Sequence, residues 1–299
     1  MLRYLLRRAG EALVVLVGAA VLVFALLHIV PGDPVRVALG TRFDPETYEA
    51  LREAAGLNLP LHEQLVRYLS NAAMGDFGVS FRSGQTVFEI IMDRLPATIS
   101  LGVAALFIAL LISFPLGITS AMRRGSIIDH VARLGSQIGI SVPDFWLAIL
   151  LILFVAGTLR WLPASGYVPI TEDPVQWLRH VILPALTVGL ISGSILTRFI
   201  RSATLESNDQ DFARTARAKG LHESAVMRDH VLRNAMVPII TVAGIQLASL
   251  LGGVIVVEVV FAWPGLGRLV YDSVLARDYP VVQGAVLLVA AIFLVANLV

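Results

Sequence analysis

Basic side chains are concentrated between residues 198 and 233, in a segment that separates two apolar stretches. Seven of the 23 Lys and Arg residues lie there, including Lys219, the only lysine. Such a cluster can bind a partner protein or anionic lipid headgroups. Because glycine follows Lys219, the chain lacks the Gly-Lys-Ser/Thr sequence that holds nucleotide phosphates and Mg²⁺. Energy for any work must therefore come from a partner or from an ion gradient.

Asp144 is the only acidic residue well inside an apolar stretch, and it follows Pro143. Burying an unpaired carboxylate in a bilayer costs at least about 2.5–3.5 kcal/mol, so Asp144 should face water, a partner or a translocation path. Two interpretations remain open. Gln137, Ser141 and Asp144 line a translocation cavity, or Asp144 is a boundary acid that caps a helix starting at Pro143.

Three further polar residues belong to the fifth apolar stretch: Glu258 at its outer end, and Gln246 and Ser249 within it. Glu258 either pairs with Arg268 to brace an outer gate or lies at the level of the lipid headgroups. Gln246 and Ser249 either form hydrogen bonds between helices or contact the cavity. The histidines are isolated and no nucleophile motif is visible, so we expect no catalytic residue, no metal site and no cofactor bound by this chain.

Composition and hydropathy indicate an all-α membrane protein. The chain is 57% hydrophobic and 15% charged, against about 25% charged in soluble domains. Six apolar stretches approach the roughly 20 residues needed to cross a bilayer core. They are Ala12–Val30, Leu95–Met122, Leu134–Leu159, Val181–Thr197, Ala235–Val257 and Val281–Val299. Because the last one reaches the final residue, we expect the native chain to continue beyond residue 299.

The distribution of basic residues predicts that both termini are cytosolic. With the N-terminus inside, 13 of the 23 Lys and Arg lie on the inner side, and most of the others lie in one long outer loop that counts weakly. This divides the chain into a first span (1–30), an external, partly helical loop (31–94) and a membrane core (95–299) with a cytosolic loop at 198–234. In the external loop, Asp44 and Pro45 should start a helix that Gly56 ends, and Pro60 should start another.

The cytosolic loop predicts a helix–turn–helix elbow. Asn208 or Asp209 should cap a first helix that Gly220 ends, and a second should run from about His222 to Asn234. The apolar faces are predicted from helical spacing. They are Phe212 and Ala216 on the first helix, and Leu221, Ala225 and Leu232 on the second. Small residues at four-residue spacing predict close packing of two spans. They are Ala185, Gly189, Gly193 and Thr197 in one, and Gly244, Ala248 and Gly252 in the other.

Several motifs resemble one family of transport proteins. DFARTARAKGL followed by HVLRNAMVP is similar to the EAA loop of the membrane subunits of ABC importers, and most similar to the B-type permease subunit of dipeptide and oligopeptide importers. HIVPGDPV, GDFGVSFRSGQTV, RLPATISLG, SVPDFW and VEVVFAWPGLGRLVYDSVLARDYPVVQG extend the resemblance over nearly the whole chain. Gly220 matches the loop glycine, whereas Arg214-Thr215-Ala216 and Arg233 depart from the general pattern.

The resemblance implies a type I ABC importer transmembrane domain. This subunit would pair with a second homologous permease, rest its elbow on one of two cytosolic ATPases that bind ATP and Mg²⁺, and receive short peptides from an external binding protein. The implied ATPase-coupling residues are Asp211, Phe212, Arg214, Thr215, Ala216, Arg217, Ala218, Lys219, Gly220 and Leu221. Relatives of this type move other cargo as well, including glutathione, nickel chelates and haem. An ion-coupled carrier and a membrane scaffold are the remaining alternatives.

Overall fold

The computed structural model describes residues 2–29, 31–40, 43–252 and 254–298, which are mostly α-helical. The helices are α1 (Leu2–Ile29), α2 (Pro34–Leu39), α3 (Pro45–Ala54), α4 (Leu61–Ala73), α5 (Val87–Met122), α6 (Ile127–Ser141), α7 (Asp144–Leu151), α8 (Pro174–Asn208), α9 (Asp211–Ala218), α10 (Glu223–Ala225), α11 (Arg233–Leu251), α12 (Ile255–Val260), α13 (Leu266–Leu275) and α14 (Tyr279–Leu298). Two π-helical stretches continue α7 and join α10 to α11, namely Ile152–Thr158 and Val226–Leu232.

Five helical segments are long and apolar enough to cross a membrane, and there are six if the bent pair of α6 and α7 counts as one span. The predicted all-α membrane fold is therefore confirmed. The third predicted span, Leu134–Leu159, is wrong as a single rod, because its two halves meet at an angle of 100°. Pro143 accounts for the break, since it has no N–H to continue the helix and holds Val142 in an extended conformation.

The fifth predicted span, Ala235–Val257, also differs from the structure. One continuous helical segment runs from Glu223 to Leu251, and a separate helix begins at Ile255. The predicted second elbow helix, His222–Asn234, is therefore the first part of this span and not an independent helix. Hydropathy missed this because the first turns of the segment are polar, whereas its backbone hydrogen bonds continue without interruption.

Local capping signals place the helices that follow α1. The side chain of Asp44 caps α3, which begins at Pro45, and Gly56 follows the end of α3 with φ of 69°. α4 begins directly after Pro60. These three predictions are confirmed. The additional short helix α2 is capped in the same way by Asp33, whose carboxylate accepts two backbone N–H groups.

Arg277 and Asp278, which directly precede α14, hold both ends of the segment that contains α2 to α4. The Arg277 guanidinium donates to the carbonyl oxygen of Pro31 at 2.6 Å. The buried Asp278 carboxylate accepts hydrogen bonds from the Ser80 hydroxyl and the Phe81 N–H. Burial raises the pKa of Asp278, and these two bonds oppose the rise without cancelling it. The start and the tail of the segment are thus fixed to the same two residues.

The chain forms two compact units. The first comprises Met1–Ile99, Leu251–Ile255 and Pro264–Val299, and the second comprises Ser100–Leu250 and Val256–Trp263. Each unit has its own apolar core. The core of the first is built on Val87, Ile91, Leu266, Val281 and Ala285. That of the second is built on Ala109, Leu196, Ile200, Ala203, Ala235 and Ile239.

Small residues on α8 allow a close approach to α5 within the second unit. A Cβ added to Gly189 would lie 2.9 Å from the carbonyl oxygen of Ala105, and one added to Gly193 would lie 3.3 Å from that of Ala109. Ala185 and Thr197, which complete the predicted stripe, are also buried. The prediction of close packing is confirmed for α8, where van der Waals contact replaces the hydrophobic drive that lipid removes.

The corresponding stripe on α11 is less crowded within the chain. Ala248 is buried, but a Cβ added to Gly244 meets nothing within 4 Å. Close approach is therefore wrong for Gly244 within this chain. The difference arises because helical spacing identifies a face but not the distance to its neighbour.

Replacing Gly189 by Ala is expected to lower the free energy of unfolding by about 1–3 kcal/mol, because the new methyl group overlaps a backbone oxygen that cannot move alone. Gly244→Ala is the matched helical control and should leave stability unchanged or raise it by up to about 1 kcal/mol. Thermal unfolding of both variants in mild detergent measures the difference. Equal unfolding temperatures would contradict the close contact at Gly189.

Candidate functional site

The turn after α9 is closed by the hydrogen bonds of a Schellman motif. The N–H of Leu221 donates to the carbonyl of Ala216, and the N–H of Gly220 donates to that of Arg217. Gly220 has φ of 80°, in the left-handed region that a residue with a Cβ adopts at a cost. The prediction that Gly220 ends the helix is confirmed. The predicted cap is wrong, since α8 continues through Asn208 and Gln210 directly precedes α9.

Two alanines pack α9 against the helical segment that follows it. Ala213 and Ala216 are buried and pack with Val226, Met227 and Val231. The prediction that Phe212 and Leu221 belong to the packed apolar faces is therefore wrong. Phe212 is 36% exposed and Leu221 is 43% exposed, whereas Leu232 is partly buried against this cluster. Helical periodicity shows which residues share a side, but it does not show which side meets the neighbour, and small alanines let the backbones approach more closely than Phe212 would.

Arg217 locks the elbow into one conformation. Its guanidinium donates to both carboxylate oxygens of Glu223, at 2.7 and 3.0 Å, and to the side-chain oxygen of Asn208 at 2.6 Å. Asn208 ends α8 and Glu223 begins α10, so one side chain joins the helices on both sides of α9. The Ser207 hydroxyl adds a buried bond to the carbonyl of Val231 at 2.8 Å.

These contacts leave one mixed surface of the elbow exposed. Of the ten residues that the resemblance implies for coupling, Ala216 is buried and Arg217 is half-buried. The other eight are exposed: Asp211, Phe212, Arg214, Thr215, Ala218, Lys219, Gly220 and Leu221. Two apolar side chains, two cations and an acid thus share a small, rigidly held surface, which we call the elbow face.

A buried ion pair near the same end of α8 was not found from the sequence. Asp129 in α6 is 1% exposed and accepts two bonds from Arg201, at 2.7 and 2.9 Å. The Ser120 hydroxyl and the N–H of Gly125 donate to the same carboxylate, at 2.6 and 3.0 Å. Asp129 therefore ties together α5, the turn after it, α6 and α8. The only sequence signal is an acid and an arginine at the ends of two spans, separated by 72 positions.

The structure brings together only two of the residues that were predicted to line a pathway near Pro143. An open cleft of about 390 Å³ at the break between α6 and α7 is lined by Gln137 and Ser141, with Ile138 and Trp146 beside them. Asp144 is absent from the described lining of this cleft. Its carboxylate accepts the N–H of Phe145 at 2.8 Å in the first turn of α7. α7 begins at Asp144 itself, and no side chain caps it at Pro143, so both interpretations of Asp144 and the pathway role of Gln137 and Ser141 stay predictions.

Gln246 and Glu258 occupy buried or partly buried positions. The Gln246 amide donates to the Ser192 hydroxyl at 2.9 Å and so bridges α11 and α8, which is the predicted interhelical bond. Glu258 is 1% exposed, and its carbonyl accepts the N–H of Trp263 across the turn after α12. The predicted pairing of Glu258 with Arg268 stays a prediction. Arg268 itself lies 3.5 Å from Asp272 in α13.

Comparison with known proteins assigns the chain to a family. Residues 113–299 match the family described as the binding-protein-dependent transport system inner membrane component, and residues 1–102 match its N-terminal domain. The dipeptide transport system permease protein DppB of Escherichia coli K12 is 40% identical, with 100% of this chain and 95% of that protein covered. The di/tripeptide transport system permease protein DppB of Pseudomonas aeruginosa is 37% identical over the same shares.

Solved structures support the fold. The MetNI methionine ABC transporter in an inward-facing form superposes with a TM-score of 0.52 at 21% identity, covering 70% of this chain and 93% of that chain. The chain therefore belongs to the inner-membrane components of binding-protein-dependent transport systems, and it is a permease subunit of such a system.

Replacing Asp129 by Asn is expected to cost about 3 kcal/mol of unfolding free energy, because Arg201 would remain largely buried without its counter-ion. Asp272→Asn removes an exposed carboxylate paired with Arg268 and should cost less than about 1 kcal/mol. Thermal unfolding of these variants, of Arg201→Gln and of the double variant Asp129→Asn/Arg201→Gln measures the coupling. A double variant that loses the sum of the losses of Asp129→Asn and Arg201→Gln would contradict the pairing.

Proposed function

We propose that this chain forms half of the translocation path of an ATP-driven importer of dipeptides and short oligopeptides, with a second homologous permease forming the other half. Its family membership and its relatives named for dipeptide and di/tripeptide transport support this cargo. These names favour peptides over glutathione, nickel chelates or haem. The chain acts as a non-catalytic membrane subunit, and ATP and Mg²⁺ bind to the two ATPase partners.

The elbow face is the surface that we propose to dock on a cytosolic ATPase. The observation that carries this proposal is the combination of exposed Phe212 and Leu221 with a backbone fixed by the Gly220 turn and by Arg217. A loop that only rests on anionic headgroups needs basic charge but no fixed shape. The elbow face has a fixed shape and two exposed apolar side chains, one of them aromatic, which suit a protein interface.

The elbow is also connected so that it can transmit movement. α9 packs on the stretch Val226–Val231, which continues without a break into α11. A displacement of α9 by a closing ATPase pair would therefore be carried directly into the span. This corresponds to a rigid-body transition between two states that ATP binding biases. An ion-coupled carrier would instead need a relay of ionisable groups within its spans.

We further propose that both termini and the elbow are cytosolic, and that the segment with α2 to α4 faces outward, where it meets the substrate-binding protein. The excess of Lys and Arg on the inner side supports this orientation. The apolar helix α1 exposes Leu13 and Val14 and is suited to lipid contact.

Replacing Gly220 by Val is expected to abolish ATP-driven uptake of a labelled dipeptide while leaving membrane insertion intact. A β-branched residue in the left-handed conformation costs about 1–2 kcal/mol, so the turn opens and the elbow face loses its shape. Gly220→Asn is the matched control, because Asn tolerates this conformation. The chain is co-reconstituted with its permease, ATPase and binding-protein partners, and uptake and ATPase retention are measured together.

Three results would contradict the proposal. They are normal uptake and normal ATPase retention by Gly220→Val, equal failure of Gly220→Asn, and uptake by the chain alone in liposomes without an ATPase. The last result would favour the ion-coupled carrier.

Single cysteines test the orientation cleanly, since the chain contains no cysteine. Glu49→Cys in α3 and Thr215→Cys in the elbow face place thiols at exposed positions. The test uses cells whose outer envelope is permeabilised and whose inner membrane is intact. A membrane-impermeant maleimide should label Glu49→Cys at once, and it should label Thr215→Cys only after the inner membrane is permeabilised. The reverse pattern would overturn the orientation.

A further inference from the structure

The first unit contains a cavity of about 290 Å³ that is separate from the elbow and from the cleft between α6 and α7. It is bounded by the end of α1, the start of α14, α3 and α4, and the stretch around residues 76–81. Its volume is close to the lower limit for small-molecule sites, which is about 300 Å³. Its lining combines aromatic rings with charged and amide side chains.

Four rings form a row along this lining. Tyr68 stacks on Phe24 with a centroid distance of 6.2 Å, Phe24 lies 4.1 Å from the ring of His28, and His28 lies 6.2 Å from Tyr279. His28 is held in place by Gln64, whose side-chain oxygen lies 3.2 Å from Nε2. The row therefore has a fixed geometry, and aromatic faces of this kind attract a cation.

The hydroxyl groups at the two ends of the row are buried without a hydrogen-bond partner among the described residues. They belong to Tyr68 and Tyr279. An unsatisfied buried hydroxyl costs about 1–3 kcal/mol, so two of them lining one cavity indicate that something polar completes them. Burial raises the pKa of Tyr68 to about 12, so this hydroxyl keeps its proton and remains a donor at neutral pH.

Two opposite charges line the same cavity. Arg67 donates to the carbonyl oxygen of Ala54 at 3.2 Å and keeps further N–H groups in its guanidinium. One carboxylate oxygen of Asp76 accepts the N–H of Gly78 at 2.9 Å, and a carboxylate has a second oxygen that can accept. The cavity thus offers donors for an anionic group and, in Asp76 and the ring faces, acceptors for a cationic one.

We propose that this cavity binds a compact zwitterion, a molecule that carries an ammonium group and an acidic group a few bonds apart. The Tyr68 hydroxyl and Arg67, which are neighbours on α4, bind the acidic group, and the Tyr279 hydroxyl, Asp76 and the aromatic row bind the ammonium group. A free amino acid or dipeptide has this chemistry, and so does the headgroup of an ethanolamine phospholipid. The inference does not depend on the transported cargo, because it concerns equilibrium binding to this chain.

The test uses the full chain in nanodiscs of phosphatidylglycerol, which has no ammonium group. In one arm, L-alanyl-L-alanine is titrated and the unfolding temperature is followed. In the other, part of the lipid is replaced by phosphatidylethanolamine. We expect one arm to raise the unfolding temperature, which identifies the source of the zwitterion. Tyr68→Phe/Tyr279→Phe should weaken the apparent affinity in that arm at least about tenfold, as expected for lost hydrogen bonds to a charged group.

Tyr271→Phe is the matched control, because Tyr271 is 43% exposed and lies outside the cavity, and it should bind as the unaltered chain does. Without a ligand, the double Phe variant should be as stable as the unaltered chain or more stable, since two unsatisfied groups are removed. Three results would overturn the proposal: no shift in either arm, an equal shift in the double variant, or a ligand-free double variant of lower stability. The last would show that the hydroxyls serve the fold alone.

Discussion

Backbone groups that cross a hydrocarbon layer must find their hydrogen-bond partners within the protein, and this requirement limits how a membrane-spanning helix can break. The bend between α6 and α7 illustrates it. The N–H of Val142 still donates to Ile138, Pro143 has no N–H to satisfy, and Asp144 accepts the N–H of Phe145. At this turn of 100°, the N–H groups of Val142 and Phe145 therefore both keep an acceptor. The carboxylate that hydropathy marks as out of place is part of what allows the chain to bend there.

The same requirement applies to hydroxyl groups inside the spans. Thr187 and Thr197 donate to carbonyl oxygens one turn earlier in α8, at 2.9 and 2.7 Å. Bonded within their own helix, they leave the surface of α8 smooth enough for Gly189 and Gly193 to approach α5. Polar contact between helices is then reserved for a few positions, of which Gln246 with Ser192 is one.

Local features were predictable and distant ones were not. Asp44, Pro60 and Gly220 act within a few residues of their own positions, so capping rules place the helix ends correctly. The pairing of Asp129 with Arg201 depends on how two helices lie side by side, which a single sequence does not state. Phe212 was wrongly predicted to lie on a packed face for a related reason. Helical periodicity shows which residues share a face, but it does not show which face contacts another helix. The family motifs predicted the transport family, and the comparison with known proteins confirms it.

The hydrogen bonds of Arg277 and Asp278 have a consequence for how the sequences of such chains diverge. Pro31 and Ser80 are both hydrogen-bonded to residues beside the start of α14. The residues between them therefore form a loop whose two ends are held in place. Lengthening such a loop costs little free energy, about 0.6 kcal/mol for each doubling of its length. Residues can therefore be inserted or removed in this region while the spans keep their register. Two adjacent side chains thus separate variation of this segment from variation of the membrane-spanning helices.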